Sequence, residues 1–195
     1  MESELTRSFI CIEVPDEIVK EVARIQEVLA GWKFNGKMTE LENLHLTLKF
    51  LGELDHTKLA EVEKRLATVA FSSFKVTLQE VGTFNVRGQP KIVWIKLGGK
   101  GIFELQKKID NALQDLFKSE ERFMSHLTIA RVRYVKDAVG FVKHIRSLKA
   151  KELSFETDRF YLKKSVLMSP GPVYSTLAHF NLDGENILKK EKKSL

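Results

Sequence analysis

Cysteine is nearly absent from this sequence. Cys11 is the only one among 195 residues, so no disulfide can close within the chain and the small disulfide-stapled folds are excluded. It stands in the apolar run Phe9-Ile10-Cys11-Ile12, where a buried small hydrophobe is expected. No apolar stretch reaches the roughly 18 residues that a membrane-spanning helix needs. The opening residues Met1 to Arg7 lack the basic flank and apolar segment of a secretion signal. Four prolines and eleven glycines are too few for a low-complexity chain. Gly98-Gly99-Lys100-Gly101 lacks the Gly-Lys-Ser/Thr ending of an NTPase loop, and Asp55, Asp110, Asp115 and the glutamates show no metal-ligand spacing. These absences lead us to expect a reducing, cytoplasmic setting, no membrane, no metal and no cofactor.

Charge is present but uneven. The formal balance is +6, and Lys189, Lys190, Lys192 and Lys193 against Glu191 place +3 of it in the last few residues. We expect residues 1–188 to form one domain and 189–195 a flexible basic tail. The remaining +3 is compatible with an anionic ligand without demanding one.

Periodicity supplies the elements. Arg7–Val14 reads as a strand, and a helix follows from Asp16, with Ile18, Val22, Ile25 and Leu29 at helical spacing and Gly31 as its stop. A loop is expected through Asn35-Gly36, then a strand over Asn43–Leu51 and a helix introduced by Asp55. Phe74–Leu78 and Ile92–Leu97 read as strands around a turn at Val86–Pro90. After the glycine break come a helix built on Leu105, Ile109, Leu113 and Leu116, a strand over Phe123–Val132 and a helix over Ala138–Leu148. Strands around Phe155–Leu167 and Tyr174–Leu182 close the chain. Helix, motif strand, helix, strand thus occurs in each half. The expected fold is α+β, with two pseudo-symmetric lobes, each an antiparallel sheet backed by helices, and a central cleft carrying the motif strands.

Those motif strands hold the chemistry. Leu44-His45-Leu46-Thr47-Leu48 and Ser125-His126-Leu127-Thr128-Ile129 lie 81 positions apart, counted from His45 to His126. Strand alternation puts each histidine and its threonine on one face and the apolar residues on the other. Two imidazoles can supply a base for attacking water and an acid for a leaving oxygen near neutral pH, and two hydroxyls can hold phosphoryl oxygens. Arg131 follows His126 at an odd offset, so it reaches the same face only through a twist, a bulge or the strand end. Phe50 holds the equivalent place after His45.

His45-Leu-Thr47-Leu and His126-Leu-Thr128-Ile, with Arg131 after the second, resemble the paired signatures of the 2H phosphoesterase superfamily. Ser8–Pro15, Glu42–Glu53 and Gly171-Pro172-Val173-Tyr174 extend the likeness, closest to the RNA 2′,3′-cyclic phosphodiesterases, historically called 2′–5′ RNA ligases. The resemblance implies a metal-independent enzyme that opens an RNA terminal 2′,3′-cyclic phosphate to a 2′-phosphomonoester. It gives His45 as proton donor, His126 as proton acceptor, and Thr47, Thr128 and Arg131 as phosphate-binding residues. Its partners would be RNA bearing that terminus, tRNA fragments or nucleotides, acted on by a monomer. The alternatives are 2′–5′ joining of RNA ends by the reverse chemistry, and a nucleotide- or RNA-end-binding module without turnover. Ser125 departs from the proline often found before the second histidine.

Other residues are weighed against duller roles. His56 is expected to be exposed at a helix start, His144 on a solvated helix face, and His179 outside the chemistry. Lys49 shares the ideal strand face of His45, so contact with an RNA phosphate and plain solvation stand equal. Tyr174 could stack on a base or pack at a turn, with packing favoured; Trp32, Trp94 and most of the thirteen phenylalanines are assigned to the core.

Overall fold

A computed structural model describes residues 5–169 and 171–182; the expected basic tail, 189–195, lies outside them. The elements run β1 (Thr6–Glu13), α1 (Asp16–Ala30), β2 (Asn35–Met38), β3 (His45–Leu54), α2 (His56–Leu66), β4 (Phe74–Val86) and β5 (Gln89–Gly98). They continue with α3 (Lys100–Ala112), β6 (His126–Tyr134), α4 (Ala138–Ser147), β7 (Ser154–Thr157), β8 (Arg159–Leu167) and β9 (Pro172–Asn181).

Local chemistry explains the helix starts. Pro15 precedes α1 and leaves Asp16 and Glu17 against its positive end. The Asp55 carboxylate accepts from the Lys58 amide at 2.8 Å, and Asp137 does the same for Gly140 at 2.8 Å, each meeting an otherwise orphaned donor. Ile18, Val22, Ile25 and Leu29 of α1, and Ile102, Leu105 and Ile109 of α3, are buried stripes at helical spacing. The helices pack onto the sheet, α1 on β6, α2 and α3 on β3, and α4 on β4 and β5. The buried sheet residues include Ile10, Ile12, Leu46, Leu127, Ile129 and Ile95, all 2% exposed or less.

The strands join in a single antiparallel sheet in the order β7-β4-β5-β6-β3-β1-β8-β9, with β2 added on β6. The α+β class and the helix-backed antiparallel sheet are as the sequence leads one to expect. The partition between halves is more interwoven than that. β4 turns directly into β5 through Arg87-Gly88, both at positive φ (49° and 78°), the geometry of a tight hairpin. That hairpin sits among strands of the second half, with β5 on β6 and β4 on β7, while β8 crosses back to pair with β1. Each half thus lends strands to the other, and the two meet at β3–β6 through the pair Leu46↔Leu127.

Other local expectations shift. Asn35-Gly36 is not a loop but opens β2, which takes its extended form from its partner β6. The long strand expected around Phe155–Leu167 breaks at Asp158, because β7 pairs with β4 and β8 with β1 on opposite sides of the sheet. On β4, Gly82 lies opposite Trp94; a Cβ there would come within 2.3 Å of the indole, so only glycine lets the ring lie across the strand.

Candidate active site

A hollow of about 710 Å³ opens at the junction of β3 and β6, on the sheet face turned away from the helices. His45, Thr47, His126, Thr128 and Arg131 all line it. Antiparallel pairing at Leu46↔Leu127 sets His45 beside Thr128 and Thr47 beside His126. The imidazoles therefore sit on a diagonal, with backbone positions roughly 7–8 Å apart, a span that admits one phosphate between them.

Each ring is fixed in the same way. His45 Nδ1 lies 2.7 Å from the Asn43 carbonyl oxygen, and His126 Nδ1 lies 2.7 Å from that of Met124. A carbonyl only accepts, so Nδ1 carries the proton in both rings, which leaves Nε2 with a lone pair for chemistry. Asn43 is itself braced, its side-chain amide donating to the Pro172 carbonyl at 2.9 Å.

Bulges decide which neighbours face the hollow. Trp94 pairs with Thr128 and Val93 with Ala130, so Ile129 is an extra residue on β6. Ile129 and Ala130 both turn inward, alternation is reset, and Arg131 emerges on the side of His126 and Thr128. The same device occurs on β3: Cys11 pairs with Thr47 and Ile10 with Lys49, leaving Leu48 as the extra residue. Leu48 and Lys49 are buried, and Phe50, 70% exposed, comes out into the hollow.

Aromatic rings wall the two histidines. Phe9 and Tyr174 lie 4.8 and 5.2 Å from the His45 ring, and Phe84 lies 5.0 Å from that of His126. Burial is the main reason both imidazoles are harder to protonate than free histidine. His45 is pushed down to about 4, with Lys163 and Arg131 adding to the effect and the Asn43 bond opposing it. His126 is lowered by burial and by Arg131, against the Met124 bond. The Arg131 cation thus acts on both rings. Arg7 and Arg122 also line the hollow, and among the described residues neither they nor Arg131 make an ion pair, whereas Lys37 is matched by Glu40.

Several expected roles change. Lys49 does not lie in solvent: it lines the hollow yet is only 5% exposed. The bulge turns it to the helix layer, where it pairs with Asp110 of α3 at 2.5 Å. His144 is not on a solvated face; its ring stacks on Trp32 at 4.9 Å, and its Nε2 is buried without a hydrogen bond among the described residues. Tyr174 lies edge-on against His45 and lines the hollow. His56 is exposed, as expected, and His179 lies beside Tyr161 on β9, outside the hollow. Ser125 is buried with its hydroxyl unbonded among the described residues, while its carbonyl accepts from the Leu97 amide at 3.2 Å and so keeps β6 in register. Phe50, Phe84, Arg7 and Arg122 join the site without a signal in the sequence, apart from the equivalence of Phe50 with Arg131.

A second hollow, about 850 Å³, lies beside α3 and is lined by Phe71, Phe74, Glu104 and Lys108, with no histidine. Among the described residues no three His, Cys, Asp or Glu side chains gather as a metal site, and no helix is long and apolar enough to cross a membrane.

A protein-family model described as LigT like Phosphoesterase matches residues 12–94 and 98–174, which takes in both motif strands. The chain belongs to the LigT-like 2H phosphoesterases. Among this family's curated members, the RNA 2′,3′-cyclic phosphodiesterase of Archaeoglobus fulgidus is 36% identical over 177 residues, covering 89% of this chain and 99% of its own. The protein of that name from Methanocaldococcus jannaschii is 34% identical over 174 residues, covering 88% and 98%. Among solved structures, the TT0787 protein of Thermus thermophilus aligns at TM-score 0.77 with 23% identity, over 92% of this chain and 99% of that one. Escherichia coli LigT, crystallised with 3′-AMP, aligns at 0.73 with 22% identity and the same coverage. These two likenesses are ones of fold. They carry the LigT-like α+β architecture beyond the reach of close sequence identity.

Proposed function

We propose that this chain hydrolyses the terminal 2′,3′-cyclic phosphate of RNA to a 2′-phosphomonoester, using His45 and His126 as general acid and base. One observation carries the reading. Two imidazoles, each with Nδ1 tied to a carbonyl and Nε2 without a hydrogen bond among the described residues, share a hollow with two threonines and an arginine that makes no ion pair among those residues. Membership among proteins whose archaeal relatives are named RNA 2′,3′-cyclic phosphodiesterase supports the substrate.

In this scheme His126 Nε2 accepts a proton from water as the water oxygen attacks phosphorus. The P–O3′ bond breaks in line, and protonated His45 Nε2 delivers its proton to O3′. The Thr47 and Thr128 hydroxyls donate to the non-bridging oxygens, and Arg131 offsets their charge. Both proton transfers have an owner, so the scheme routes no step through a metal. Burial keeps the free imidazoles neutral; an anionic phosphate held between them favours the imidazolium and loads His45 as the acid. Phe50 offers an exposed face on which the terminal base can stack.

The test is incubation with an oligoribonucleotide ending in a 2′,3′-cyclic phosphate in the presence of EDTA. A product resistant to a 3′-specific phosphatase is expected. Binding without conversion anywhere between pH 5 and 8 would replace the enzyme with a binding module.

A further inference from the structure

The buried ion pair between Lys49 and Asp110 serves no step of that chemistry, yet the two residues are only 5% and 6% exposed. Desolvating two charges costs about what their attraction returns, so such a pair is a poor device for stability alone. Its connections suggest another use. Asp110, near the end of α3, accepts from Lys49 Nζ at 2.5 Å, from Gln106 Nε2 at 2.9 Å and from the Glu120 amide at 2.7 Å. Lys49 Nζ also donates to the Lys118 carbonyl at 2.7 Å. Both ions therefore grip the segment between α3 and β6, at Lys118 and Glu120.

That segment runs straight into the site. Arg122 and Phe123 line the hollow, and the next residue, Met124, supplies the carbonyl that fixes His126 Nδ1. At its other end the network is anchored on β3, because Lys49 lies next to the Leu48 bulge, two residues beyond Thr47. We propose that Lys49 and Asp110 are positioning residues, linking the β3 bulge to the lead-in of β6 and so setting the tautomer and placement of His126 relative to His45. The inference rests on the proposed phosphodiesterase chemistry for its kinetic consequence, but not for its structural one. The cations that depress His45 are Lys163 and Arg131, so the link acts through geometry rather than through charge on that imidazole.

The experiment replaces both ions by apolar residues of similar volume, Lys49→Met with Asp110→Leu, which leaves neither buried charge without its counterion. The folded double variant is expected to lose about 10- to 100-fold in kcat on RNA ending in a 2′,3′-cyclic phosphate, with KM little changed. Its ¹⁵N imidazole spectrum should show His126 shifting from a single Nδ1–H tautomer to a mixture, while His45 keeps its signal. Wild-type kcat together with an unaltered His126 signal would overturn the proposal. Should the double variant fail to fold, Glu120→Pro removes the amide donor to Asp110 with both charges still paired, and the same two readouts apply. The imidazole spectrum needs no substrate, so an inactive wild-type protein would refute the phosphodiesterase reading while leaving this link still under test.

Discussion

Phe50 and Arg131 occupy the same place on the two motif strands, each three residues past its threonine and each turned into the hollow by a one-residue bulge. One strand offers a cation and the other an aromatic face. That difference divides labour across a site whose histidines are otherwise held alike.

Arg131→Gln should lower kcat/KM by about 10- to 100-fold, the loss expected for a charge-assisted bond to a phosphate oxygen. Arg131 also depresses both imidazoles, so removing it should move the acidic limb of the pH–rate profile upward. Steady-state kinetics from pH 4 to 8 measures both effects; an unshifted limb would place the guanidinium away from the rings.

Phe50→Ala should raise KM for an oligoribonucleotide about 10-fold or more with little effect on kcat, since base stacking on an aromatic ring contributes about 1–3 kcal/mol. A ribose cyclic phosphate that carries no base should not distinguish the variant from the parent. Equal losses for both ligands would make Phe50 merely structural.

His45→Ala and His126→Ala should each reduce turnover by at least about 10²–10⁴-fold, and the double variant should be little worse than either. Circular dichroism should show the fold retained. Substantial residual activity in either single variant would sink the paired-imidazole scheme.

The free protein's imidazoles also set a pH dependence of stability. His45 takes up its proton near pH 4 when folded, whereas an unfolded histidine does so near 6.5. Between those values the unfolded chain binds more protons, so stability rises with pH and is lost as the pH falls from about 6.5 toward 4. Urea titrations across that window should show a decline that is shallower in His45→Gln. For the same reason the optimum of kcat/KM, which reports the free enzyme, should lie below about 6.5, and that of kcat should lie higher once the phosphate is bound.

The sequence displays the two His-x-Thr strands and the helical stripes because each repeats a simple period. It hides the bulges, since one added residue breaks alternation without leaving a distinctive residue type. In the second strand the trace is visible once the structure is known, as Ile129-Ala130 places two apolar residues side by side. In the first strand the partner of Leu48 is Lys49, whose charge masks its inward position and makes solvation or phosphate contact look natural. His144 misleads similarly, flanked by Lys143 and close to Arg146 while its own ring packs on Trp32. β2 escapes notice because Asn35-Gly36 carries turn chemistry, and only the neighbouring strand makes it extended.

The interlacing of the β4–β5 hairpin with β6 and β7, and of β8 with β1, bears on how such a chain can be divided. A polypeptide severed at Gly98-Gly99 would leave that hairpin bare on both flanks and β1 open along one side, each fragment presenting raw backbone amides to whatever strand came near. Neither piece is self-sufficient, but the pair is complementary. Mixed together they should reassociate into a nicked whole, and either one alone should aggregate.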